Sequence, residues 1–253
     1  MEPTAYAVLA LHGDPNSAQA VERAYELVHS WQTEDGGWKP AAHINTATWV
    51  TALGVTICVV EEKYGRAFEQ GVRWLLKSTG AENSLLSRII SLIPGKGIGR
   101  DISNRGWPWR ADTTAWVEPT AHSLVALKKA SSHFHDRDLQ ARVKEGEQLL
   151  LTVRGADGGW NYGSARALGV NLPSYPETTA LAWLALQKRM PAGSELPAGR
   201  TQSRLADAWL GIVRRVSGAE ALEGSPLEPP ADLMIAALEA LAAPGGNAAI
   251  FRT

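Results

Sequence analysis

The sequence predicts one all-helical domain in which two kinds of helix alternate along the chain. A short motif recurs, and each copy opens an apolar helix. An amphipathic segment follows most copies. The chain has 253 residues, 45% of them hydrophobic, which suffices for one sizeable core. Because apolar helices must be covered on several sides, we expect them to form an inner layer within an amphipathic outer layer. The domain is then a curved array of helical hairpins, closed, open or incomplete, spanning residues 1–253.

The recurring motif is Glu-x-Thr-Ala, followed after four residues by Ala-Leu. Three full copies begin at Glu2, Glu118 and Glu177, and weaker copies lie at 46–53 and 228–237. A Pro in the first helical turn loses no hydrogen bond, and a Glu there lies near the positive end of the helix dipole. Each copy therefore predicts a helix start, and the residues after it are apolar on every face.

The alternating helices have one apolar stripe and one polar face. Their buried positions recur at helical spacing, which predicts outer helices. We expect about nine helices in total, with boundaries good to a few residues. The stripes comprise Val21, Ala24, Tyr25, Val28 and Trp31; Phe68, Val72 and Leu75; Leu139, Val143, Gly146 and Leu150; and Leu205, Ala208, Trp209, Ile212, Val213 and Val216.

Two outer helices end in the same turn, Asp-Gly-Gly-Trp, at 35–38 and 157–160. Gly adopts the positive φ angles of tight turns without strain. The Trp carries a large apolar surface that can pack over the joint between two hairpins. Trp38 and Trp160 are therefore predicted to be structural, and such joints account for part of the ten Trp residues.

The spacing Gln32, Gly36, Trp38 resembles the repeat of squalene–hopene cyclases. Residues 157–163 followed by 177–180, and 107–109 followed by 116–121, are similar to prenyltransferase and squalene-cyclase repeat proteins. The resemblance covers most of residues 2–242. It implies the α/α toroid of terpenoid cyclases and protein prenyltransferases, with an isoprenoid in a central cavity. It does not fix the reaction, because one fold hosts several chemistries.

The chain departs from the functional motifs of those families. Aligning Thr120-Ala121 on the Thr-Ala of cyclases places residues 116–119 on the Asp-x-Asp-Asp acid motif, where only Glu118 is acidic. Cys58, the one cysteine, lacks the Asp and His partners that prenyltransferases use for zinc. Residues 133–138 have the composition of a solvated turn before a helix. We therefore predict neither a metal nor a cofactor.

The net charge is -1, so no overall field attracts nucleic acid. The first residues lack the basic and apolar regions of a signal peptide, and a single cysteine fits a reducing compartment, so we expect a cytoplasmic protein. The uncharged segment 44–60 is shorter than a membrane span and contains several Thr residues. It predicts a helix buried within a folded domain.

An insertion at about 80–106 interrupts the alternation. Its residues 85–93 predict a short amphipathic helix, and five basic side chains lie between 88 and 110. Three interpretations remain open: a loop packed on the rim of the array, a lid or diphosphate-binding loop, and a peripheral membrane contact through 85–110.

The unit from 107 to 122 differs most from the others, and we place the candidate site there. Asp112 and Glu118 are the candidate general acids, because two neighbouring carboxylates raise the pKa of one of them. An ion pair between Arg110 and Asp112 is the structural alternative. Candidate substrate-binding residues are Trp109, Arg110, Trp116, His122, Tyr175 and Trp183, with Trp49 as a further aromatic face for a carbocation.

Three functions follow from these patterns. The first is a terpenoid-cyclase-like protein that binds an isoprenoid or another apolar substrate in a central cavity. The second is a non-catalytic repeat scaffold that binds a protein or peptide partner on its concave face. The third is a carbohydrate-active toroid, which requires a polar groove with clustered carboxylates.

Overall fold

The computed structural model describes residues 1–83, 105–167, 169–220 and 232–253, and helices make up most of the regular secondary structure in these ranges. The all-α prediction is confirmed. In the described ranges, extended structure is confined to isolated bridges and one small hairpin of two-residue strands, β1 and β2. The helices are α1 (Glu2–Leu11), α2 (Ala18–His29), α3 (Thr51–Val60), α4 (Arg66–Lys77), α5 (Val117–Ala130), α6 (Leu139–Thr152), α7 (Pro176–Leu186), α8 (Arg204–Ser217) and α9 (Leu233–Ala242); the strands are β1 (Arg166–Ala167) and β2 (Val170–Asn171).

The apolar helices form the inner layer. α3 packs between α1 and α5, α5 packs on α7, and α9 packs on α1, so the first and last helices meet. α2, α4 and α6 each cover the inner helix that precedes them. The array is therefore closed, and the alternation of inner and outer helices holds through α7.

The predicted outer position of α8 is wrong. This helix packs between α7 and α9 and fills the gap between them. Its Trp209 is only 3% exposed and its ring contacts those of Tyr6 and His122, on α1 and α5. Its amphipathic pattern is real, but the apolar stripe faces the interior of the ring, because no further inner helix occupies that place.

The C-terminal segment holds the ring closed at the ends of the inner helices. Asn247 Nδ2 donates hydrogen bonds to the carbonyl oxygens of Ala10 and His12, at the end of α1. Gln187, just after α7, donates to the carbonyl oxygen of Phe251. Phe251 is buried and its ring lies 5.9 Å from that of Trp209. The ring is thus closed by specific hydrogen bonds as well as by helix packing.

Three tryptophans occupy equivalent joints between hairpins. Trp38, Trp107 and Trp160 are each at most 1% exposed. Each indole N–H donates to a carbonyl of the outer helix before it, at 2.9, 2.8 and 2.7 Å respectively. Each backbone N–H donates to a Thr hydroxyl on the following inner helix, at 2.8 to 3.0 Å. The polar atoms of these large side chains are therefore satisfied inside the core.

The Thr hydroxyls that accept these backbone hydrogen bonds show that one repeat copy was aligned at the wrong residue. They are Thr51, Thr120 and Thr179. The second copy therefore starts its Thr-Ala pair at Thr51, and the assignment of that pair to Thr46 is wrong. Trp49 then stands where the other copies have Glu. Residues 44–60 include no charged residue, so the Glu that marks the helix start in the other copies is missing, and the sequence does not show where this helix begins.

The two ends of the insertion are pinned by buried polar groups. Arg142 on α6 is 3% exposed and donates to the carbonyls of Ser78, Arg105 and Gly106. Its guanidinium lies 3.4 Å from the centre of the Trp107 ring. The predicted helix at 85–93 and most of the predicted membrane contact through 85–110 lie outside the described residues. None of the helices in the described ranges has the length and hydropathy needed to cross a membrane.

Candidate functional site

The Glu of each full repeat copy lies in the first turn of an inner helix. Glu2 begins α1, Glu118 lies at the start of α5, and Glu177 lies at the start of α7. Asp232 caps the fourth such helix, α9, by accepting hydrogen bonds from the backbone N–H groups of Met234 and Ile235. We call Glu2, Glu118, Glu177 and Asp232 the carboxylate cluster, because their charges interact across the ring.

Glu118 has the most strongly shifted pKa of this cluster. Burial, together with smaller contributions from the charges of Glu2 and Glu177, raises the pKa of its carboxyl to about 8. Burial also raises the pKa of Glu2, with a smaller contribution from Asp232 and an opposing one from the N-terminal ammonium. A carboxyl with a pKa of about 8 carries its proton at neutral pH, so Glu118 is able to donate one.

Glu177 is held by a partner from the loop before its helix. The Tyr162 hydroxyl donates to Glu177 Oε1 at 2.5 Å. This hydrogen bond to the carboxylate, together with burial, raises the pKa of Tyr162 to about 12. The backbone carbonyl of Tyr162 also accepts from the N–H of Val117, at the start of α5. Tyr162 therefore contacts the N-terminal ends of two neighbouring inner helices.

An aromatic layer lies one helical turn below the carboxylates. Tyr6 follows Glu2 by four residues and His122 follows Glu118 by four, so each pair shares a helix face. The Tyr6 hydroxyl and His122 Nε2 are 3.2 Å apart across the ring. Burial lowers the pKa of His122 to about 3, so its imidazole is neutral.

Ring contacts join aromatic side chains that come from widely separated parts of the chain. The ring of Trp109 lies 5.1 Å from that of Trp49, and Trp49 lies 5.3 Å from His122. His122 lies 5.6 Å from Trp209, which in turn contacts Phe251. We call Tyr6, Trp49, His122 and Trp209 the aromatic layer. The side chains of this layer contact one another inside the ring of inner helices.

The structure brings together some of the residues predicted from the sequence. Glu118, His122 and Trp109 belong to the carboxylate cluster or to the chain of aromatic contacts. Trp116 caps the start of α5 and is partly buried. Tyr175 caps α7, is 39% exposed, and its ring lies 4.8 Å from that of Tyr162.

The other predicted residues are placed differently. Asp112 is exposed in a turn with a φ of 61°, and the charges that act on Glu118 come from Glu2 and Glu177. No ion pair joins Arg110 to Asp112 in the described part of the chain. Trp183 is partly buried in α7, and its indole N–H has no hydrogen-bond partner among the described residues.

Sequence reasoning missed Tyr6, Tyr162, Trp209 and Phe251. The spacing of four residues that joins Glu2 to Tyr6 repeats between Glu118 and His122, and this signal was available. Tyr162 follows the Gly-Gly-Trp turn by two residues, but nothing local shows that its hydroxyl reaches Glu177. Trp209 and Phe251 reach the interior only because α8 and the C-terminal segment close the ring.

No protein family model and no curated relative matches this sequence. Among solved structures, the fold is similar to that of a variant of MstE, a type II terpene cyclase from Scytonema, in complex with its substrate geranylgeranyl dihydroxybenzoate. The TM-score is 0.52 at 17% identity, over 95% of this chain and 66% of that one. This chain thus spans just under two thirds of that protein's length. The likeness establishes a helical fold of the terpene-cyclase kind.

Proposed function

We propose that this protein binds the end of an isoprenoid chain beneath the carboxylate cluster and that Glu118 is its proton donor. The observation that carries the proposal is the pKa of about 8 for Glu118, a carboxyl held between Glu2 and Glu177 above an aromatic layer. Terpene-cyclase-like folds supply the substrate class, since the solved neighbour is named with a geranylgeranyl substrate.

The reaction begins with transfer of the Glu118 proton to a carbon–carbon double bond. The electron pair of that bond forms the new C–H bond, and a carbocation remains beside the ionised Glu118. A buried carboxylate without a cation beside it is unfavourable. A carbocation formed at contact distance stabilises the ionised Glu118, because opposite charges attract strongly in a low dielectric. The rings of Trp49 and Trp109 present π faces that stabilise a cation further. Loss of a proton to a carboxylate of the cluster ends the reaction.

The aromatic layer limits how deeply a substrate enters. Tyr6 is fully buried, and His122 and Trp209 are at most 4% exposed, so they pack on one another across the ring. Only the terminal unit of a chain then lies at Glu118, and the rest extends outward past Trp116 and Tyr175. His122 is neutral and adds no positive charge that would oppose a carbocation.

Product analysis tests the proposal. The parent protein, Glu118→Gln and Asp112→Asn are incubated with squalene and with linear prenyl diphosphates, and products are identified by gas chromatography with mass detection. We expect cyclised or hydrolysed product from the parent and none from Glu118→Gln. The Gln side chain has nearly the size and shape of Glu but no acidic proton. Retention of Trp fluorescence quenching by geranylgeraniol in Glu118→Gln separates binding from chemistry.

Two outcomes contradict the assignment. If the parent gives no product and geranylgeraniol does not quench its fluorescence, the protein is not an isoprenoid binder. If Glu118→Gln retains full activity, Glu118 is not the acid. Loss of product in Asp112→Asn alone would assign the proton to Asp112 instead.

A further inference from the structure

A groove of about 1120 Å³, lined mainly by polar and charged residues, lies between the first Asp-Gly-Gly-Trp turn, the end of α4 and the turn at 111–112. It shares no lining residue with the carboxylate cluster or the aromatic layer. Ligand pockets commonly have volumes of about 300–1,000 Å³, so this groove is large enough for an extended small molecule. The isoprenoid proposal makes no use of it.

One aromatic ring in the groove is held in a fixed orientation. Trp74 Nε1 donates to Asp35 Oδ2 at 3.0 Å. The ring also packs tightly over Gly37, where an added Cβ would lie 2.8 Å from Trp74 Cε2. One face of the indole therefore rests on the turn, and the partly exposed ring lines the groove. Such a ring is a preorganised stacking platform.

Several polar groups around Trp74 have unused hydrogen-bonding capacity. Asn45, Lys77 and Asp112 are exposed, and their side chains make neither a hydrogen bond nor an ion pair within the described ranges. The Thr79 hydroxyl, beneath the same lining, is buried without a partner there, which costs free energy. Asp112 holds a left-handed φ of 61°, a strained conformation that recurs at binding sites.

The charges of the lining are balanced, which argues against selection of a polyanion or a polycation. A pyranose presents an apolar C–H face to an indole and a rim of hydroxyls that both donate and accept hydrogen bonds. We propose that the groove binds a neutral oligosaccharide, with one sugar ring stacked on Trp74 and its hydroxyls bound by the unpartnered polar groups. The balanced lining charges are those of Lys39, Arg73 and Lys77 against Glu34, Asp35 and Asp112.

Titration calorimetry on the intact protein tests this site. The probes are cello-, xylo-, manno-, malto- and chitohexaose, with polygalacturonate as an acidic comparison. We expect saturable binding of at least one neutral hexasaccharide and about tenfold weaker binding in Trp74→Leu and in Asp112→Gly. Gly adopts a positive φ without strain, so Asp112→Gly removes the carboxylate without endangering the fold. Trp31→Leu, a partly buried tryptophan outside the groove, is the matched control and should bind as the parent does.

Three results would overturn the proposal: no neutral hexasaccharide binds, both groove variants bind as tightly as the parent, or only polygalacturonate binds and salt abolishes its binding. Circular dichroism melts of both variants serve to check that the fold is retained. Because Trp74→Leu alters neither the carboxylate cluster nor Asp112, its results are independent of those with isoprenoid substrates.

Discussion

The tryptophan joints and the carboxylate cluster come from the same repeat, yet their energetics are opposite. In the joints, Trp38, Trp107 and Trp160 bury large rings and satisfy both N–H groups. In the cluster, burial and neighbouring charge disfavour ionisation of Glu118. A repeated residue is therefore not necessarily a scaffold residue. In a closed ring, the same position of each inner helix meets its copies, and like charges accumulate there.

The largest expected effect is at a joint. Trp160→Ala removes a fully buried ring and its hydrogen bond to the Leu150 carbonyl. We expect a loss of about 3–5 kcal/mol in the free energy of unfolding, measured by urea denaturation. Trp31→Ala, at a partly buried position, is the control and should lose less. Equal midpoints for Trp160→Ala and the parent would show that the joints do not hold the array together.

Glu118 should make the protein less stable as pH rises. A carboxylate whose pKa is lowered on folding has the opposite effect. The pKa of Glu118 is raised from 4.5 to about 8, so between these values the folded state holds a proton that the unfolded state has lost. The contribution of Glu118 to stability is therefore largest below pH 4.5 and falls as pH rises to about 8. At pH 8, Glu118→Gln should be more stable than the parent by roughly 2 kcal/mol after a discount for solvent access.

Thermal melts of the parent and Glu118→Gln from pH 5 to pH 8.5 measure this difference. Glu26→Gln, at an exposed position on α2, is the matched control and should follow the parent at every pH. Parallel pH profiles for Glu118→Gln and the parent would mean that Glu118 ionises normally, and the acid assignment would fall with it.

A smaller loss of stability is expected at Gly146, where the outer helix α6 packs closely against the Trp107 ring. An added Cβ at Gly146 would lie 2.5 Å from Trp107 Cζ3. Gly146→Ala should therefore cost roughly 1–2 kcal/mol, because overpacking outweighs the better helix propensity of Ala. Urea denaturation of the single variant and of Gly146→Ala with Trp107→Phe tests the cause. If the smaller ring does not reduce the penalty of Gly146→Ala, steric contact is not its origin.

The smallest expected effect is at the link between joint and cluster. Tyr162→Phe removes the hydroxyl that donates to Glu177 and should cost about 1 kcal/mol in unfolding free energy. Tyr175→Phe changes an exposed neighbour and should stay within about 0.5 kcal/mol of the parent. A loss in Tyr175→Phe equal to that in Tyr162→Phe would point to ring packing rather than the hydrogen bond.

Local patterns in the sequence determined the all-helical class, the joints at Trp38 and Trp160 with their Gly residues, and the helix starts at Glu2, Glu118 and Glu177. These features depend on residues close in the chain: a Pro or Glu in the first turn, helical spacing of apolar residues, and Gly before Trp. The resemblance added the toroid, which the fold of MstE supports. His122 and Trp109, which lie near a strong copy of the repeat, are candidate residues that the structure places in the chain of aromatic contacts.

Tertiary structure alone decided how the ring closes and which groups meet inside it. The same amphipathic stripe fits an outer helix or a helix wedged into the ring, so the periodicity of α8 could not place Trp209 at the centre. Asp112 and Glu118 are near in sequence, but the turn at 112 directs Asp112 to the surface, whereas Glu2 and Glu177 act on Glu118 from far along the chain. Electrostatic coupling depends on distance in space, and only the closed packing of the inner helices sets that distance.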